Sequence, residues 1–102
     1  MDSKKYSKTE QFAIVSILIL IMEADGVIDP NEEKFLNRIL STFKITESEL
    51  EIISSYSFNQ CREILCGMGS EELTHAKLIF TEMAKCDGYA DSRELEIINR
   101  IG

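Results

Sequence analysis

Phe12-Ala13-Ile14-Val15-Ser16-Ile17-Leu18-Ile19-Leu20-Ile21-Met22 is an eleven-residue apolar run broken only by Ser16. Lys4 and Lys5 stand upstream of it, the arrangement of a leader peptide. A membrane-crossing helix needs about 20 such residues, and Glu10 and Gln11 interrupt the approach. The run also leads straight into Asp25-Gly26-x-x-Asp29-x-x-Glu32, a pattern that returns as Asp87-Gly88-x-x-Asp91-x-x-Glu94. That recurrence ties the run to the fold. A helix apolar on every side is one buried on every side, so Phe12 to Met22 is predicted to be the central helix of the domain.

Outward from this segment, polar breaks divide the chain into six helical patterns. Ser7 and Glu10 form a capping box that opens the first helix, which runs to about Ala24, with Gly26 suited to its end. Asp29 is placed to cap the second, with Pro30 in the first helical position and Glu32 in the third. Phe35, Leu36, Ile39, Leu40 and Phe43 make one apolar stripe on it. Thr46 and Glu49 form another box before a short third helix carrying Leu50, Ile53 and Tyr56. A fourth spans Phe58 to Met68, with Cys61, Leu65 and Met68 inward. Ser70 opens a fifth, with Leu73, Ala76, Phe80 and Met83 inward, and Asp91 opens a sixth, with Leu95, Ile98 and Ile101 inward. No strand-like alternation competes. The expected fold is all-α, a compact bundle of about six helices in a single domain over residues 1–102.

Aligning residues 12–40 with 74–102 matches eight of 29 positions, clustered on the acidic turn and on Asn37-Arg38-Ile39 against Asn99-Arg100-Ile101. Two repeated helix–turn–helix units, packed to bury each other's apolar faces, are the economical reading. Gly26 and Gly88 suit helix ends. Asp29 with Glu32 and Asp91 with Glu94 suit helix starts, each cap worth about 1 kcal/mol. Capping leaves Asp25 and Asp87 over. Both follow a helix C-terminus, where the macrodipole disfavours an anion, although an Asx-turn would give each a structural role. Asp25, Asp29, Glu32, Asp87, Asp91 and Glu94 are therefore the candidate ligands of a divalent cation, and six hard oxygen donors suit Mg²⁺, Ca²⁺ or Mn²⁺. An EF-hand is excluded, because its first ligand position would fall on Ile21 in one copy and Met83 in the other.

Eighteen acidic against eleven basic residues give a formal net charge of −7. That sign repels nucleic-acid backbone and anionic membrane and favours cations or a protein partner with a basic surface. Cys61, Cys66 and Cys86 are an odd number, which favours a reducing, cytoplasmic setting over a disulfide framework. With His75 they match no zinc spacing. They are expected to be small buried hydrophobes, and His75 a surface or boundary residue. Lys4, Lys5 and Lys8 are expected to form a solvated basic tip. Catalysis is not expected. One His, no Ser/His/Asp or Cys/His arrangement and no phosphate-binding loop are present, and Asp87 next to Cys86 would raise its thiol pKa. Leftover apolar surface would allow a homodimer, though no residue specifies one.

Ala24-Asp25-Gly26-Val27-Ile28-Asp29-Pro30-Asn31-Glu32, preceded by an apolar helix and followed by an amphipathic one, resembles the TerB-like family. Cys86-Asp87-Gly88-Tyr89-Ala90-Asp91-Ser92-Arg93-Glu94 resembles the same turn, departing from it at Ala90 and Ser92. The family includes the tellurite-resistance protein TerB and the N-terminal part of a membrane-anchored DnaJ-type co-chaperone. The resemblance, taken from about Glu10 to Ile101, implies a bacterial, cytoplasmic helical bundle. It also implies a role linked to tellurite or other chemical stress, through metal binding or protein assembly. Two functions compete on this basis: a small module binding a divalent cation on its paired acidic turns, and a metal-free adaptor docking a basic partner.

Overall fold

The computed structural model describes residues 6–23, 30–85 and 92–101, with side chains in the last stretch from Leu95 onward. Six helices follow one another: α1 (Lys8–Glu23), α2 (Pro30–Phe43), α3 (Glu47–Ser54), α4 (Phe58–Cys66), α5 (Ser70–Lys85) and α6 (Ser92–Arg100). No strand occurs among the described residues. The expected all-α bundle is the observed one.

α1 is the axis of the bundle. Ala13, Ile14, Val15, Ile17, Leu18 and Ile21 are fully shielded from solvent, and Gln11, Ser16 and Met22 nearly so. α1 packs against each of the other five helices, which accounts for a helix with no polar side. α2 shows the opposite pattern. Leu36, Ile39 and Phe43 are buried, Phe35 and Leu40 half-buried, and Asn37, Arg38 and Ser41 between them face solvent. Ile53 of α3, Cys61 and Leu65 of α4, Ala76, Ile79, Phe80, Met83 and Ala84 of α5, and Ile98 with Ile101 complete one continuous core.

Local hydrogen bonds set where the helices begin. Ser7 and Glu10 form a reciprocal box at α1: the Glu10 amide donates to Ser7 Oγ at 3.2 Å and the Ser7 amide to Glu10 Oε1 at 2.9 Å. Thr46 and Glu49 repeat it at α3, at 3.2 and 2.9 Å. Ser57 caps α4 by accepting from the Gln60 amide. α2 ends differently. Lys44 takes the left-handed conformation with φ 56°, and the Ile45 amide donates back to the Leu40 carbonyl at 2.9 Å. This is the terminating geometry that glycine ordinarily provides, here adopted by a residue with a β-carbon.

Two expectations are corrected. Cys66 is exposed rather than buried, because five residues carry it about 140° around α4 from the inward Cys61. Its Sγ donates to the Ile101 carbonyl at 3.1 Å. Lys8 is not part of a free tip. Its Nζ lies 3.2 Å from Glu49 Oε2 and 5.9 Å above the Phe12 ring, joining the start of α1 to α3. The Lys8 side chain is more than half exposed, so the pair contributes little stability. Cys61 is buried as expected, and burial pushes its thiol pKa up, partly offset by a hydrogen bond with Ser16. His75 is half-buried, matching the boundary position expected of it. Lys4, Lys5 and Cys86 lie outside the described residues.

Tyr6 packs edge-on against Phe43, ring centroids 6.0 Å apart. Its hydroxyl is buried without a hydrogen-bond partner. Burial first, and then the negative charges of Glu72 and Glu10, raise its pKa. A buried hydroxyl left unpaired costs about 1–3 kcal/mol, so Tyr6→Phe is expected to stabilise the protein by about 1 kcal/mol. The phenol also sets a sign for alkaline pH. Above the unfolded value of about 10, the unfolded chain ionises Tyr6 while the folded chain keeps it protonated, so stability falls. Urea titrations between neutral pH and pH about 10.5 should therefore show the advantage of Tyr6→Phe growing with pH. An advantage that shrinks would contradict this burial.

Candidate functional site

The six predicted carboxylates fall in and beside two connections. One joins α1 to α2, the other α5 to α6. Asp25 and Asp29 in the first, and Asp87 and Asp91 in the second, lie outside the described residues, as do the proposed end-capping Gly26 and Gly88. Glu94 belongs to the first turn of α6. What the structure does give is the framing of both turns. Glu23 ends α1 and Lys85 ends α5, 62 residues apart; Pro30 begins α2 and Ser92 begins α6, also 62 apart. Both connections are thus six residues long, and in each the second Asp directly precedes the first helical residue. α1 packs on α2, α5 packs on α6, and α1 and α5 pack on each other.

Glu32 is the one candidate whose side chain is described, and it is 2% exposed. A carboxylate so far from water needs hydrogen bonds or a positive partner to offset several kcal/mol of lost hydration. Two internal references help to interpret it. Glu10 and Glu49 occupy the corresponding third helical position in two capping boxes, and both are only half-buried. Glu49, which accepts from the Thr46 amide and is paired with Lys8, has its pKa held below the usual carboxylate value by those contacts. Glu32 sits deeper than either. At the end of α1 the last turn carries Glu23 and no basic residue, so acid at that helix end is not balanced from within the helix.

Among the described residues, no group of three His, Cys, Asp or Glu side chains is placed to hold a metal. No described helix is long and apolar enough to cross a membrane.

A family model for the tellurite resistance protein TerB matches residues 3–55, just over half of the chain. The chain belongs to the TerB family. The matched stretch holds α1, the first acidic turn, α2 and α3. This TerB match stops before α4, so the resemblance that the sequence suggested as far as Ile101 is supported through residue 55. The second turn, with its departures at Ala90 and Ser92, lies beyond it. No curated protein and no solved structure matches the chain.

One surface feature has no counterpart in the motif reading. Phe58, Asn59, Arg62, Asn99 and Arg100 line a cleft of about 460 Å³ between α4 and the end of α6. The two arginines stand 38 positions apart, so no local spacing announces them. The sequence signal available was slight: Asn59 and Arg62 are one helical turn apart.

Proposed function

We propose that this TerB-family chain is a small non-catalytic binding module of the tellurite- and chemical-stress type. Its two Asp-Gly-x-x-Asp-x-x-Glu turns hold a divalent cation with a preference for oxygen donors, in the class of Mg²⁺, Ca²⁺ or Mn²⁺. The observation that carries this reading is the burial of Glu32, deeper than the capping-box glutamates Glu10 and Glu49 of the same chain. An inward carboxylate next to a turn holding Asp25 and Asp29 is the ligand-rich arrangement that hard cations favour. The equal lengths of the two connections support a matching role for Asp87, Asp91 and Glu94.

A metal-free adaptor reading draws on the same boxes. Ser7–Glu10 and Thr46–Glu49 show that a polar residue followed three later by Glu serves helix starts here without any ligand. On that reading the acidic turns dock a basic surface of a protein partner, in a salt-sensitive association.

Thermal unfolding with and without cation separates the two. Cation at a hundredfold excess over its dissociation constant is expected to stabilise the protein by about 2.7 kcal/mol, a rise of several degrees that chelator reverses. Asp25→Asn combined with Asp87→Asn should remove the gain. Glu32→Gln sharpens the test, because a capping box accepts Gln in place of Glu whereas a cation site loses a charged ligand. A wild-type protein indifferent to all three cations, or an undiminished gain in the Asn double variant, would sink the cation site and leave the adaptor.

A further inference from the structure

The cleft between α4 and α6 is chemically at odds with the rest of the molecule. The chain carries four arginines and a net charge of −7, yet two of the four, Arg62 and Arg100, line this one cleft with Asn59, Asn99 and the ring of Phe58. Among the described residues, no carboxylate lines this part of it. Glu63 and Cys66 enter only along its continuation on α4, where Asn59 and Arg62 are shared. Arg100 is held by Glu96 at 3.5 Å, but both side chains are about two-thirds exposed. Such a pair contributes little and leaves the guanidinium able to turn inward. The cleft also has a fixed wall: the Cys66 thiol donates to the Ile101 carbonyl at 3.1 Å, fastening the end of α4 to the residue after α6.

The geometry points to an organic phosphate monoester as the ligand of this cleft, its dianion between Arg62 and Arg100 and its organic part against Phe58. Two guanidinium forks offer more directed donors and more positive charge than a single carboxylate uses, and match the several oxygens of a phosphate. The asparagine amides add neutral donors at either side. Phe58 is half-buried and packs against the core, and it also lines the cleft, an apolar contact that a bare anion would not use. The described lining residues all lie beyond the TerB-matched stretch and outside the two acidic turns.

The test is an amide NMR titration of the full chain with phenyl phosphate and, separately, inorganic phosphate. Chelator is present throughout, and sodium chloride holds ionic strength constant. Phenyl phosphate is expected to give saturable shifts confined to residues 58–62 and 99–101, and to bind more tightly than inorganic phosphate. Arg62→Gln and Arg100→Gln should each weaken binding about tenfold, and Phe58→Leu should narrow the gap between the two ligands. Both arginines are exposed, so these variants keep the fold. Shifts that stay linear with concentration, shifts that survive in the Arg62→Gln/Arg100→Gln double variant, or equal affinity for the two phosphates would each overturn the assignment.

Discussion

Phe80→Ala should cost about 3–5 kcal/mol of folding free energy. Among the described residues, Phe80 is the largest side chain wholly withdrawn from solvent, and it sits on α5, which packs against α1, α2 and α6. Truncation removes the transfer energy of the ring and leaves a hole that the surrounding helices fill only in part. Domains of this size have about 5–15 kcal/mol in total, so the variant should sit at the edge of stability or beyond it. Chemical denaturation followed by helical circular dichroism gives the number directly. Phe80→Leu, which keeps much of the volume, should lose less than half as much. If the two variants behaved alike, Phe80 would not be packed as described.

Ser16→Pro is expected to abolish folding. Proline in a helix interior removes one backbone hydrogen bond and drives its ring against the carbonyl four residues earlier, here Phe12, at about 3 kcal/mol or more. At Ser16 the local cost is only the beginning. A kink in α1 displaces the side chains on which all five other helices rest. Ser16→Ala is the control, since it removes the buried hydroxyl while leaving the backbone intact. Glu51→Pro places the same lesion in α3, whose main packing partner is α1 alone. That variant should unfold at a lower temperature yet retain most of its helical signal. Equal damage from the two prolines would show that α1 is not the element that organises the rest.

The parts of this fold legible in the sequence are those that depend on spacing within one helix. The Ser7–Glu10 and Thr46–Glu49 boxes follow from a three-residue separation that brings each side chain onto the other's amide. The stripe Leu36, Ile39, Phe43 follows from the helical period, and the central position of α1 from the absence of any polar side. What escaped is set by contacts between distant residues or by conformations with no compositional mark. Nothing near Lys8 foretells Glu49, since only the packing of α1 on α3 brings them together. Lys44 ends α2 in the left-handed region without being glycine, so the usual signal is missing. Cys66 is exposed where a buried cysteine was expected, although the five-residue step from Cys61 contained the answer.

The candidate site divides the same way. The acidic turns stand out because two copies repeat in one chain, and α2 and α6 begin directly after Asp29 and Asp91. The depth of Glu32 could not be read from its spacing, which serves a half-buried cap at Glu10 and at Glu49 equally well. Arg62 and Arg100 become neighbours only when α4 and the end of α6 line the same cleft.

The placement of α1 also bears on how the chain is made. During synthesis the most water-averse helix emerges ahead of the five helices that clothe it, and α6 arrives some seventy residues later. Until then its aliphatic side chains are open to contact with other nascent chains, the condition under which aggregation competes with productive collapse. Translation speed and access to a holdase chaperone should therefore bear on the yield of this protein alongside its final stability.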